Sequence, residues 1–420
     1  MRYLYLLFLF LYSTVFGLTL DDAIKLALNN HPYLKEQYHY LKASEFDYKY
    51  SWGNFFPTVN LNFSYTKFRD GSGGDSFSRN RSIKFSWTLY NSGTNILELL
   101  KSKESLLSKQ KSYSEDLLDI IYDVKKAYYE AVAKNQIYKI RQIQLKAAQK
   151  DLELAQKKLE LGLVTKADYL QAKVRLEDIR YSLISAEFEY KKALASLNSL
   201  IGYPLDTKLK LDYSILKRFE IYDVPDFEFI KKLAFKKRPV FKQYYHDIKR
   251  AKYSTKEEIL SFTPTVSVSY SLNKDHSSSS GTDYYNVFNF GLSWTIFEGL
   301  KRYHAYLSAK ENELAAKEKL RELKRIITLK LYQYYMDLKS AYRNIDVART
   351  LLEEADHNYK QAIGEYKAGK GDIISLLTAE SSLASAHEKF VNSLLDIART
   401  KATLEREIGV VDLSKEEQSQ

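Results

Sequence analysis

An internal duplication constrains the fold of this 420-residue chain more than any other feature of its sequence. A fixed offset between similar segments indicates one structural unit used twice. The sequence therefore predicts a first copy at 18–205, a linker at 206–225, a second copy at 226–410 and a disordered tail at 411–420. The offset is 207 positions, and the residues that coincide are Pro32 with Pro239, Pro57 with Pro264, Trp87 with Trp294, Gly162 with Gly369 and Gly202 with Gly409.

Each copy contains two runs in which apolar residues alternate with small polar ones, which is the period of a β-strand. The runs lie at about 56–67 and 82–90 in the first copy and at about 263–273 and 286–297 in the second. Segments rich in Gly and Ser separate the runs of each copy and predict exposed hairpin loops. The sheet would have one apolar face, which carries Val59, Leu61, Phe63, Phe85, Trp87, Val266, Val268, Tyr270, Phe290 and Trp294.

The polar face decides between two interpretations of these hairpins. An amphipathic sheet that covers a helical core would present mainly Lys and Glu to water, whereas this face holds mainly Ser, Thr and Asn. Small polar residues opposite an apolar face are typical of transmembrane β-barrel strands, which contact lipid on one side and a wet lumen on the other. Four strands cannot close a barrel, and lipid does not tolerate open sheet edges. Several chains must therefore share one barrel, and two, three or four copies all satisfy closure.

The rest of each copy predicts long helices, so the fold class is mainly α with a small membrane β part. Neither Gly nor Pro occurs between Gly93 and Gly162, or in 163–201, 300–363 and 372–408. At 1.5 Å per residue, the longer spans reach roughly 90–100 Å. The returning helices carry an apolar residue at every seventh position, which predicts left-handed packing in a helical barrel or in an ordinary antiparallel coiled coil. These positions are Tyr169, Leu176, Leu183, Tyr190 and Leu197, and Leu376, Leu383, Phe390, Ile397 and Leu404.

A tight turn joins the two long helices of each copy, at the end remote from the strands. In LGLVTKAD (161–168), Gly162 would end the first helix in a left-handed conformation, and Thr165 and Asp168 would form a capping box for the second. In AGKGDIIS (368–375), Gly369 would end the helix and Asp372 would cap the next.

The N-terminus and the composition predict an exported protein. MRYLYLLFLFLYSTVFG (1–17) joins one Arg to a long apolar run, which is typical of a secretory signal peptide cleaved after Gly17. The chain has no Cys, which excludes disulfides and thiol catalysis. Its 64 Lys and Arg are interspersed with 53 Asp and Glu, a pattern of solvated helix faces rather than of a nucleic-acid interface.

No motif predicts an enzyme, a cofactor or a metal site. GEYKAGKG (364–371) resembles a phosphate-binding loop, but Gly371 stands where a Ser or Thr must ligate Mg²⁺, and a helix precedes it instead of a strand. The seven His residues lack zinc spacing, and His39 and His246 recur at the repeat offset, as scaffold residues would. DGSGGD (70–75) has the composition of a flexible loop.

With these motifs, the chain resembles the TolC family of outer-membrane efflux and type I secretion channels over nearly its whole mature length. The resemblance rests on three motifs. FxPT leads into the first strand of each copy, and SWTLYNSG and SWTIFEG lead out of the second strand of the first and second copy. YKAGKGDIISLLTAESSLASA (366–386) includes the second tip. It implies a homotrimer with a 12-stranded barrel in outer-membrane lipid and a periplasmic α-barrel. It also implies a periplasmic adaptor (membrane fusion) protein and an inner-membrane RND-type pump or ABC transporter as partners. The alternative function is a pore-less periplasmic coiled-coil adaptor or scaffold.

The resemblance also assigns roles to the tips. In the family pattern, a Tyr before the second tip glycine and an Arg after it tie that hairpin to its neighbours, including an Asp of the first tip, and two Asp residues ring the constriction. Tyr366 and Asp168 match the Tyr and the first-tip Asp, whereas Gly371 replaces the Arg, with Lys370 beside it, and Ser375 and Thr378 replace the ring. This predicts a gate at Asp168, Tyr366, Ser375 and Thr378 that keeps a hydrogen bond from Tyr366 but lacks the charged latch. The adaptor would dock on Gly162, Leu163, Val164, Thr165, Gly369, Lys370, Gly371 and Asp372.

Overall fold

The computed structural model describes residues 17–69, 75–220, 224–278 and 281–413. The predicted signal peptide, except Gly17, and the predicted tail from residue 414 onward lie outside the described residues. Within them the chain forms α1 (Leu20–Asn30), α2 (Pro32–Ser51), β1 (Thr58–Arg69), β2 (Asp75–Asn91), α3 (Thr94–Glu160), α4 (Lys166–Ile201), α5 (Phe227–Lys237), α6 (Pro239–Leu260), β3 (Thr265–Ser277), β4 (Gly281–Ser293), α7 (Lys301–Lys367) and α8 (Ile373–Ile408). None of the described helices is long and apolar enough to cross a membrane.

One compact unit is helical and comprises the described parts of Met1–Lys35, Glu115–Arg238 and Ile327–Gln420. Within it α1 packs on α4, α5 packs on α8, and α4 packs on α8. The predicted linker contributes to this core, because a 3-10 helix at Tyr213–Glu220 packs on α8 and buries Leu216 and Phe219. All ten heptad positions of the returning helices α4 and α8 are buried or half-buried, which confirms the predicted packing stripe.

The second unit comprises Glu36–Ser114 and Pro239–Ile326 and contains the sheet. Its four strands are antiparallel in the order β1-β2-β3-β4, so β1 and β4 are the two edges. The strands connect to helices at one end of the sheet, and at the other end, the hairpin end, Arg69 pairs with Asp75 and Ser277 pairs with Gly281.

Equivalent contacts recur at the repeat offset, which confirms the duplication in three dimensions. The indole N–H of Trp87 donates to the carbonyl oxygen of Phe55 over 3.1 Å, and Trp294 donates to Phe262 over 2.9 Å. Helices α4 and α8 both end at a left-handed glycine, Gly202 with φ 80° and Gly409 with φ 86°. A Cβ added to Gly409 would lie 2.6 Å from the Cα of Arg238, so that position requires glycine for space as well as for conformation.

The predicted strand boundaries were wrong in two ways. The strands continue into the segments assigned to loops, since β2 begins at Asp75, β3 runs to Ser277 and β4 begins at Gly281. Polar residues pair there because ladder hydrogen bonds use the backbone, and composition alone did not reveal this. At the other end β4 stops at Ser293, four residues early, because its partner Thr265 follows Pro264 and the ladder ends there.

The predicted disordered tail was wrong at its first residues. Leu413 is buried, with 3% of its surface exposed. Its backbone N–H donates to Oε1 of the buried Glu405 over 3.1 Å. Lys125 forms an ion pair with Glu405 and also donates to the carbonyl oxygen of Val411. A buried carboxylate that needs donors therefore holds the chain through residue 413.

Candidate functional site

The cross-strand register gathers most of the apolar side chains of the four strands on one face of the sheet. Directly opposed residues point to the same side, so Val59, Phe85, Tyr270 and Phe288 form one continuous row. Two further rows repeat this arrangement, namely Trp87–Val268–Phe290 and Leu61–Ile83–Leu272.

This apolar face is exposed rather than packed on a helical core. Every residue of β1 is exposed, and Leu61 keeps 78% of its surface accessible. Of the ten residues predicted on the face, Val266 and Val268 are half-buried, Trp294 lies one residue beyond β4, and the rest are exposed strand residues. The interpretation of the sheet as the cover of a helical core is therefore wrong.

The opposite face is lined mainly by polar side chains. Asn62 opposes Ser82, which opposes Asn273, and Asn60 opposes Lys84. Nearer the hairpin turns, Asp275 on this face accepts from Asn80 over 2.5 Å and from the hydroxyl of Tyr285 over 2.8 Å. The sheet thus has the two chemically different faces that its sequence predicts.

The helical turns have the predicted cap geometry. Gly162 and Gly369 are left-handed, with φ of 70° and 74°. Thr165 and Asp168 form the capping box of α4, with hydrogen bonds of 3.2 Å and 2.8 Å. Asp372 accepts from the N–H of Ser375 over 2.6 Å at the start of α8. The turn residues Leu163, Lys370 and Asp372 are exposed, and Val164 and Gly371 are half-buried.

The predicted gate residues are only partly brought together. Tyr366 is buried beside Ile373 and Leu376, and within the described residues its hydroxyl has no hydrogen-bond partner. The predicted hydrogen bond from Tyr366 therefore has no acceptor among the described residues, and Oδ2 of Asp168 accepts from the N–H and the hydroxyl of Thr165. Ser375 bonds to Asp372, and both Ser375 and Thr378 are exposed on α8.

A different contact joins the two tip hairpins. Nζ of Lys158, in the last turn of α3, donates to the carbonyl oxygen of Tyr366 and lies 4.0 Å from the centre of its ring. Burial raises the pKa of Tyr366, and the nearby charges of Asp168 and Asp151 raise it further, so the phenol stays neutral at physiological pH. The sequence gives no pattern that distinguishes Lys158 from the other lysines of α3.

Buried acidic groups lie between the four long helices in this part of the chain. Glu380 on α8 is 4% exposed and accepts from Nε of Arg175 on α4 over 3.3 Å. Burial raises the pKa of Glu380, although Arg175 opposes this, and burial likewise raises that of Asp151 on α3, against the opposing charge of Lys367. Burial also raises the pKa of Tyr359 on α7 to about 12, with smaller contributions from the two carboxyls. The sequence did contain a signal for the burial of Glu380. Glu380 follows the heptad residue Leu376 by one helical turn, so both lie on the same packing face of α8.

The residues described do not form a metal-binding cluster of three or more His, Asp or Glu side chains. A surface cavity of about 650 Å³ in the helical unit is lined by small and aliphatic residues together with Asp123, Lys126 and Glu130. The candidate functional features of the described residues are therefore the amphipathic sheet and the capped helical tips.

Comparison with known proteins agrees with this geometry. The profile of the outer membrane efflux protein family matches residues 23–203 and again 231–410. Protein CyaE of Bordetella pertussis is 25% identical, over 89% of this chain and 80% of its own length. The alkaline protease secretion protein AprF of Pseudomonas aeruginosa is 24% identical, over 96% of this chain and 87% of its own length. The open state of the MtrE outer membrane channel of Neisseria gonorrhoeae superposes with a TM-score of 0.78 at 17% identity, covering 93% of this chain and 89% of MtrE.

The chain belongs to the outer membrane efflux protein family. It has the fold of TolC-like channels, and it is an outer-membrane exit duct with a large periplasmic helical part. The pore-less adaptor or scaffold is not favoured. The proteins it resembles are channels rather than enzymes.

Proposed function

We propose that three copies of this chain form one duct, with a 12-stranded barrel in the outer membrane. The observation that carries the proposal is the four-stranded sheet with two open edges, at β1 and β4, and an exposed apolar face. Edges of this kind are not tolerated in lipid, and four strands are too few to close. Closure alone permits several copy numbers, and the resemblance to TolC-like channels supports three.

Native mass measurement in detergent tests this assembly. The protein should require detergent for extraction from the outer membrane, run as three copies and conduct ions in planar bilayers. A stable single copy that still conducts would contradict the proposal.

The tips are the proposed docking site of a periplasmic adaptor. Gly162–Thr165 and Gly369–Asp372 form turns that are exposed except at the half-buried Val164 and Gly371, and their backbone is fixed by left-handed glycines and side-chain caps. Preformed turns bind a partner without paying for ordering at the moment of contact. The adaptor would connect the duct to an inner-membrane transporter, so that substrate passes through without chemistry.

Protein secretion is the favoured transport role. The name of AprF describes secretion of an alkaline protease, and AprF is similar to this chain along almost all of it. An ABC transporter is then the expected inner-membrane partner, and an RND-type pump is the partner expected for solute efflux. Copurification with a tag near the tips distinguishes the two, since recovery of an RND-type pump would contradict the secretion role.

The proposed gate lies at the second tip and rests in a loose, weakly cation-selective state. Ser375 and Thr378 present hydroxyl groups instead of carboxylates, so no ring of negative charge is available at their positions. The absent Arg at Gly371 removes a planar, bidentate donor, and Lys370 offers only a flexible point charge. Single-channel conductance and reversal potential measure both properties.

A further inference from the structure

The apolar face of the sheet ends in a cluster of two arginines, a lysine and a histidine near the hairpin turns. Arg81 opposes Lys274, and Arg79 opposes His276, so these four side chains form two adjacent basic rows on the same face as the apolar rows. The next row toward the helices is the apolar row of Leu61, Ile83 and Leu272. The four basic side chains, together with Thr282, line one surface depression.

Aromatic rings hold these cations in place. The guanidinium of Arg79 lies 5.2 Å from the ring centre of Phe77 and 5.6 Å from that of Tyr65. Arg81 lies 5.6 Å from Phe63, and Nζ of Lys274 lies 4.6 Å from Tyr284. Cation–π contacts orient a cation but leave its hydrogen-bond donors available.

The cluster lacks a matching carboxylate. Within residues 17–69, 75–220, 224–278 and 281–413, no ion pair involves Arg79, Arg81 or Lys274. Asp75 is on the same face but pairs with Lys67 and Arg69, whereas Asp275 is on the opposite face. The described part of the face therefore carries uncompensated positive charge beside an apolar surface.

The height of the cluster on the strands fits a membrane interface. Rows on one face are about 6.6 Å apart along a strand, and strands in transmembrane barrels tilt by about 40°. The row of Lys274 lies four row spacings from the row of Val266, and the row of His276 lies five spacings from it. The cations therefore lie about 20–25 Å above Val266 along the barrel axis, where an apolar band about 25 Å tall ends. Charged groups are tolerated on a lipid-facing surface at this level and not at the midplane.

We propose that Arg79, Arg81, Lys274 and His276 bind the phosphorylated headgroup of an outer-leaflet lipid. The inference rests on the proposed function, because it requires the apolar face to contact lipid. The cluster lies near the end of the sheet opposite to the end where the strands connect to helices, and in a duct with a periplasmic helical part that end belongs to the outer leaflet. Arginine forks bind phosphate oxygens bidentately, and the acyl chains of the same lipid would cover the adjacent apolar rows.

The test measures lipid binding to the purified full chain by native mass spectrometry. The probes are diphosphorylated lipid A and the same lipid after phosphatase treatment. The wild-type protein should retain the diphosphorylated form at least tenfold more strongly. The triple variant Arg79→Gln, Arg81→Gln and Lys274→Gln should lose that preference. Lys84→Gln is the matched control, because Lys84 lies on β2 but on the opposite face.

Equal retention of the two lipids by the wild-type protein would overturn the inference, and so would an unchanged preference in the triple variant. Inorganic phosphate that binds alone and displaces the lipid at equal concentration would show a free-phosphate site and overturn the lipid assignment. If the triple variant fails to fold, the comparison of the two lipids on wild-type protein still decides. Bilayer conductance of the wild-type protein tests the duct separately, since a conducting protein without phosphate preference refutes only the headgroup site.

Discussion

Replacing the tip glycines with a β-branched residue should loosen the tips and leave the rest of the protein folded. Gly162 and Gly369 have φ of 70° and 74°, a region that valine avoids. Among the described residues, no atom beyond the adjoining chain lies within 4 Å of a Cβ added at either position, so the Cβ itself meets no neighbour. The penalty is therefore confined to the backbone.

That penalty is about 1–2 kcal/mol for each substitution, which is the cost of a left-handed conformation in a residue other than glycine. A change of this size raises the population of the locally opened tip about 5- to 30-fold. Asparagine tolerates the left-handed region, so Gly162→Asn and Gly369→Asn are matched controls that should remain near the wild type.

Gly409 provides the opposite contrast in the same conformation. A Cβ there would lie 2.6 Å from the Cα and 3.0 Å from the backbone nitrogen of Arg238, and both are backbone atoms that cannot rotate away. Gly409→Ala should therefore lower the yield of folded protein. The tip variants should keep normal yield and assembly.

Hydrogen exchange at residues 157–166 and 364–373 is the appropriate assay, together with recovery of the adaptor by copurification. We expect faster exchange and weaker adaptor recovery for the valine variants, with no change outside the tips. If the double valine variant exchanges and transports like the double asparagine variant, the tip geometry does not control docking and the reasoning fails.

Three further predictions concern the same region. Gly371→Arg should lower basal conductance in planar bilayers. Gly371→Ala controls for crowding, because a Cβ there would lie 3.1 Å from the Cβ of Glu365. Unchanged conductance in the Arg variant would contradict the proposed role of this position in the gate. Ser375→Asp with Thr378→Asp should raise cation preference and create divalent block, measured by reversal potential; a wild-type channel that is already strongly cation-selective would contradict it. Burial raises the pKa of Glu380 above 4.5, so the folded state binds its proton more tightly, and the stability of the helical unit should fall as the pH rises from 4.5 through the raised value. Glu380→Gln should flatten this dependence in thermal unfolding, and an identical pH profile in the variant would refute the assignment.

Helix positions could be predicted from this sequence because their signals are local. The capping residues Thr165 and Asp372 and the left-handed Gly162 and Gly369 act on their own turns, and each has the predicted geometry. Strand ends were less predictable, since a ladder continues as long as a partner backbone is available. The extension of β3 to Ser277 depends on β2 and β4, and neighbouring strands are not visible in a local pattern.

The basic cluster was missed for the same reason. Arg79 and Arg81 precede the predicted second strand, and Lys274 and His276 follow the predicted third, so composition assigned all four to loops or their margins. The apolar face could be identified from the sequence only where apolar residues alternate with small polar ones. Once the register is known, the same face is seen to continue into the charged rows.

The contact between Lys158 and Tyr366 changes the expected mechanics of the gate. In the family pattern the cation follows the second tip glycine, but a side chain at Gly371 would lie 3.3 Å from the backbone nitrogen of Tyr366, so larger residues require the turn to shift. Lys158 reaches the same tyrosine from the first hairpin, through a charged hydrogen bond to the carbonyl and a contact 4.0 Å from the ring centre. A cation–π contact of a half-buried cation contributes about 0.5–2 kcal/mol, and a hydrogen bond from a charged group contributes about 1.5–3 kcal/mol. Both groups belong to one chain, so this contact ties a chain's two hairpins to each other and not to its neighbours. Opening that separates the hairpins must therefore break it, whereas opening that moves them together leaves it intact.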